Sequence, residues 1–99
     1  MKAELLFRQR VELRRGTFKE IIVWLLPRRL RGSSHPDKYR MALVDAGVCV
    51  LRYDNEAGKG DHHHTGNRET SYAFTTIERL RDDFETNIRK YLDGHPDHR

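Results

Sequence analysis

The chain has 99 residues, 36% hydrophobic and 34% charged, which suits one small domain with a single core, residues 1–94, and excludes two. Its longest apolar run, residues 21–26, stops at Pro27, too short to cross a membrane as a helix, and the first residues lack the signature of a secretory signal. A cytoplasmic protein is therefore expected. The lone Cys49 leaves no disulfide framework and no thiolate zinc site, and its neighbours Val48 and Val50 make it a small core residue.

The net charge of +4 is unevenly spread. Residues 1–40 hold 11 Lys/Arg and 4 Asp/Glu, or +7, whereas residues 41–99 hold 8 and 11, or −3. Such asymmetry draws an anionic polymer to one side, most obviously where Arg28, Arg29 and Arg31 crowd after Pro27. The plain alternative is a solvated basic loop.

In chain order, residues 3–13 alternate with period two and predict a half-wet strand. After the Arg14-Arg15-Gly16 turn, residues 18–26 predict a second strand, apolar on both sides over its later part, with Trp24 on the core side against Leu80 and Phe84. Residues 28–37 lack any period and read as a loop. Residues 39–44 and 48–53 form a hairpin turned at Asp45-Ala46-Gly47. Residues 55–60 form a glycine-bearing turn, and residues 72–74 a short fifth strand. The spacing of Ile77, Leu80, Phe84, Ile88, Tyr91 and Leu92 predicts an amphipathic helix, capped by Thr75 with Glu78 and closed at Gly94. His95 onward is a frayed tail. The fold class is α+β: an antiparallel sheet of four or five strands with a C-terminal amphipathic helix packed on one face.

The chemically dense window is Arg52-Tyr53-Asp54-Asn55-Glu56-Ala57-Gly58-Lys59-Gly60-Asp61-His62-His63-His64. If the chain stays extended on both sides of the turn, Asp54 and Asn55 return toward Asp61 and His62, and a hairpin would bring the carboxylates together. Successive side chains of a strand alternate, so His62 and His64 share one face and His63 takes the other. Two imidazoles that titrate near neutral pH can serve as general base and general acid in metal-free cleavage of an RNA phosphodiester. Asp61 or Asp54 would fix a tautomer, and Lys59 would offset charge in the transition state. Alternatively, Asp61, His62 and His64 would hold a divalent metal and its water. Residue types alone do not separate the two. The same composition also suits a solvated hairpin tip. Tyr39 and Tyr53 are candidates for base stacking, or sheet-packing aromatics.

The chain resembles the TumE family of small toxins from prokaryotic toxin–antitoxin pairs. The likeness runs from Lys2-Ala3-Glu4-Leu5-Leu6 to the C-terminal helix. It is densest at Lys38-Tyr39-Arg40, at Leu51-Arg52-Tyr53-Asp54-Asn55, and at Lys59-Gly60-Asp61-His62-x-His64 with Gly66. The resemblance implies a bacterial or archaeal protein encoded beside an antitoxin, often one with a helix-turn-helix domain. Tyr53, Asp54, Asn55, Lys59, Asp61, His62 and His64 match the motif and His63 does not. Together these readings give an RNA-cleaving toxin with His62, His64, Asp61, Lys59 and Asp54 as catalytic candidates. Arg52, Tyr53, Asn55, Lys38, Tyr39, Arg28, Arg29 and Arg31 are candidates for binding substrate. No cofactor is favoured, and a homodimer is one of the assemblies left open. The competing classes are a toxin that only occludes its target and a transferase that modifies RNA.

Overall fold

The computed structural model describes residues 3–31, Ser33 and residues 35–96. Six antiparallel strands, β1 (Glu4–Arg14), β2 (Thr17–Leu25), β3 (Asp37–Asp45), β4 (Val48–Glu56), β5 (Gly60–Thr65) and β6 (Arg68–Ser71), lie in sequence order in one sheet, followed by helix α1 (Ile77–Gly94). The sheet has six strands rather than the four or five expected, because β5 and β6 are polar throughout and carry no hydrophobic alternation. Residues 72–74, expected as a strand, form none: the Tyr72 amide still donates to the Asp61 carbonyl at 2.9 Å, but the Phe74 amide turns back to the Tyr72 carbonyl at 3.1 Å. The β3–β4 turn has positive φ at both Ala46 (51°) and Gly47 (82°), the twist a two-residue hairpin needs.

The helix covers one face. Ile21 and Val23, Tyr39, Met41 and Leu43, and Leu51 and Tyr53 pack with Leu80, Phe84 and Ile88 into a single buried cluster. This selects the odd-numbered residues of β2, and Lys19 confirms the phase by reaching Glu85 of α1 at 2.6 Å. Trp24, expected in the core, therefore lies on the opposite, open face, half-buried and in register with Lys38. Residues 21–26 are apolar on both sides, so bulk alone could not set the phase. Cys49 is likewise exposed, at the start of β4, rather than core.

The helix begins one residue later than expected. Thr76 is its cap, accepting from the Arg79 amide at 3.0 Å, which leaves Glu78 out of register for a capping box. His95 is not frayed: its ring stacks on Tyr91 with centroids 4.0 Å apart and its amide donates to the Leu92 carbonyl. Of the rest of the expected tail, Pro96 is exposed and residues 97–99 lie outside the described residues.

His63 faces the helix side, its ring parallel to that of Tyr53 with centroids 4.2 Å apart. Burial, and secondarily the neighbouring His64, push its pKa below the ordinary 6.5, while Asp83 opposes the shift. As pH falls through the ordinary value the unfolded chain binds a proton before the folded one, so the folded state loses stability on acidification. His63→Phe keeps the stack without the proton. Its urea midpoint should therefore fall less than that of the parent between about pH 7.5 and about pH 5.5; an equal fall places the acid sensitivity elsewhere. In the same assay Phe84→Ala should cost about 3 to 5 kcal/mol, and Trp24→Leu about 1 kcal/mol, since only the first opens the core.

Candidate functional site

The β4–β5 hairpin pairs Arg52 with His64, Tyr53 with His63, Asp54 with His62 and Asn55 with Asp61. Alternation then divides the dense window between two faces. Tyr53, Asn55, Asp61 and His63 turn toward the helix. Arg52, Asp54, His62 and His64 turn to the open face, where β6 adds Glu69 opposite His64.

On the open face the two rings stand with centroids 6.4 Å apart, tilted by 42°. The Arg52 guanidinium donates to His64 Nε2 at 3.1 Å, and its Nε lies 3.0 Å from Asp54 Oδ2 at ion-pair distance. A guanidinium can only donate, so His64 Nε2 is an acceptor and the ring's proton sits on Nδ1, toward Glu69 Oε2 at 4.0 Å. Asp54 Oδ1 is 3.5 Å from the same Nε2. His62 is held differently. Its Nε2 donates to the Lys59 carbonyl at 2.6 Å, and its Nδ1 lies 3.1 Å from Glu69 Oε1, close but off the line of a hydrogen bond. Both nitrogens of His62 thus face acceptors, whereas Nε2 of His64 faces a donor.

On the other face, Asp61 Oδ2 accepts from the Tyr39 hydroxyl at 2.6 Å and from His35 Nε2 at 2.9 Å. The Asp37 amide donates to His35 Nδ1, which fixes the His35 proton on Nε2. Phe74 stacks on this ring with centroids 3.7 Å apart. Burial, aided by Asp61, holds the Tyr39 phenol far above the ordinary tyrosine range, so it remains a donor. Asn55, 1% exposed, accepts from the Tyr39 amide at 3.0 Å and donates to the Asp37 carbonyl at 2.7 Å.

Several expectations are corrected by this sorting. Asp54 and Asp61 are not brought together, and Asp61 cannot join His62 and His64 around one ion, because it points to the opposite face. Among the described residues no group of three or more His, Cys, Asp or Glu is arranged to hold a metal ion. Asn55, Tyr39 and Tyr53 are 1%, 1% and 2% exposed and spend their polar groups inside the fold, Tyr53 on Asn87. Lys38 is half-buried, its Nζ 3.4 Å from the Asn55 carbonyl. Arg28, Arg29, Arg31 and Lys59 are exposed at the same end of the sheet, where the Gly58 amide donates to the Arg31 carbonyl at 2.6 Å.

Sequence reasoning missed His35 and Glu69. His35 sits in a loop without period, and nothing local points it at Asp61. Glu69 was within reach: Gly66-Asn67 is a two-residue turn with glycine first, and a return strand from it places Glu69 opposite His64.

A family model described as Toxin TumE matches residues 2–92. No curated protein and no solved structure matched the chain. The match takes in all six strands and nearly the whole helix, together with both halves of the divided window: the chain belongs to the TumE family of toxins.

Proposed function

We propose that this toxin cleaves RNA, with His64 as general base and His62 as general acid on the open face of the sheet. The observation that carries this reading is the opposite hydrogen-bond environment of two imidazoles sharing one face. His64 Nε2, already an acceptor, takes the 2′-hydroxyl proton once a phosphate draws the Arg52 guanidinium onto itself. The freed 2′-oxygen attacks phosphorus, and the bond to the 5′-oxygen breaks. His62, whose protonated form is favoured by the Lys59 carbonyl on Nε2 and by the Glu69 carboxylate 3.1 Å from Nδ1, gives its proton to the departing 5′-oxygen. The products are a 2′,3′-cyclic phosphate and a 5′-hydroxyl. Arg52, aligned by Asp54, offsets the charge that develops on the phosphorane, and Lys59 adds to the local positive field. In this scheme Asp61 is an anchor that holds β5 to β3 through Tyr39, rather than a proton carrier.

Membership of a toxin family implies a cognate antitoxin. The reading extends to an antitoxin with a helix-turn-helix domain that covers the basic end of the sheet, and to messenger or transfer RNA in the cytoplasm as target. A toxin that merely occludes its target would lose toxicity and antitoxin binding together when the open face is altered.

His62→Ala and His64→Ala should each lower RNA cleavage by the purified protein by roughly 10² to 10⁴ and abolish toxicity on induction, while antitoxin binding persists. His63→Phe should remain toxic. Cleavage should persist in EDTA, with a bell-shaped dependence on pH. Full toxicity in both alanine variants at parental protein levels contradicts the catalytic reading, and activity lost in EDTA and restored by a divalent ion replaces it with a metal-assisted one.

A further inference from the structure

Trp24 is a large aromatic side chain with no part in the core. It stands half-buried on the open face of β2, while the helix lies on the other side of the sheet. Its register partner on β3 is Lys38, and two residues along the same face Ile22 begins a row that crosses Arg40 and Asp54 to His62. That row spans three interstrand spacings, about 15 Å. Beside Trp24 the chain leaves β2 into the loop that bears Arg28, Arg29 and Arg31, all exposed. This loop touches the β4–β5 turn that bears Lys59: the Gly58 amide bonds to Arg31, and a Cβ at Gly58, whose φ is +83°, would stand 3.1 Å from Arg31 Nη2. Loop and turn together make a basic rim at this end of the sheet, joined to His62 through the Lys59 carbonyl.

We propose that single-stranded RNA lies along this rim with its phosphates on Arg28, Arg29, Arg31, Lys38 and Lys59, and stacks a base on Trp24 a few nucleotides from the phosphate held at His62 and His64. This rests on the reading of those histidines as an RNA-cleaving pair. Charge complementarity selects an anionic polymer, and an aromatic platform among the cations selects one with unpaired bases. A duplex keeps its base faces stacked inward and offers none to Trp24. The stack is tolerant of base identity, so selection at this end is for strandedness rather than for sequence.

Trp24 is the chain's single tryptophan, so its fluorescence reports the contact directly. The experiment titrates the His64→Gln protein, which should bind without cutting, with a short labelled RNA, single-stranded or annealed to its complement. Label anisotropy reads binding and tryptophan emission reads stacking. Single-stranded RNA should quench the emission in step with binding, the duplex should not, and Lys38→Gln should flatten the salt dependence by about one contact. Trp24→Leu should bind roughly 5- to 150-fold more weakly, with Trp24→Phe restoring most of the loss. Binding without quenching, equal quenching by the duplex, or parental affinity in Trp24→Leu would each overturn the proposal. Cleavage by the parent without quenching sinks only this inference; quenching without cleavage sinks the catalytic reading and leaves the RNA surface standing.

Discussion

The register of the β4–β5 hairpin is the constraint on which the rest depends. Pairing Asp54 with His62 and Arg52 with His64 puts four ionisable side chains on the open face, and their odd-numbered neighbours under the helix. A slip of one residue would exchange the two sets, burying charge and exposing Tyr53. Two polar anchors oppose that slip. Asn55 bridges the Tyr39 amide and the Asp37 carbonyl from within the sheet, and Asp61 ties β5 back to Tyr39 and to His35. Asn55 is buried and Asp61 partly so, and their partners Tyr39 and His35 are buried and would be left unsatisfied by any shift, at a cost of about 1 to 3 kcal/mol for each group. The half of the window that faces the helix is thus what aims the half that the proposed mechanism uses.

The aim is chemically asymmetric because of what each imidazole meets. His64 meets an arginine, which forces one nitrogen to accept; His62 donates from Nε2 to a carbonyl and has a carboxylate beside its other nitrogen. Glu69 lies within 4.0 Å of both rings, from the outermost strand, so the β6 edge belongs to the site although nothing in it is apolar. A fully exposed strand that otherwise buries nothing thus places a carboxylate beside both rings.

Much of this was legible in the amino-acid sequence, and the failures have physical causes. The alternation of His62, His63 and His64 follows from extended backbone alone, and the return of Asp54 toward His62 from the glycine-bearing turn. The helix stripe from Ile77 to Leu92 was plain because only one face of α1 is apolar. Strand phase was not plain in β2, where Ile21 to Leu26 are apolar on both sides and the choice of face rests on contacts with a helix more than fifty residues away. β6 carries no hydrophobic alternation, so only its turn marks it. His35 was invisible for a different reason: its partner Asp61 is 26 residues distant, and a loop histidine has no periodicity to betray its direction.

The central claim is that His62 and His64, and not His63, share one phosphate in opposite hydrogen-bonding roles. Long-range ¹H–¹⁵N correlation spectra of the imidazoles, recorded while inorganic phosphate is added, test it most directly. Neutral His64 should start with its proton on Nδ1 and neutral His62 with its proton on Nε2. Both sets of resonances should move with phosphate while those of His63 and His35 stay in place. His64 protonated on Nε2, or phosphate shifts at His63 with His62 and His64 unmoved, would contradict it.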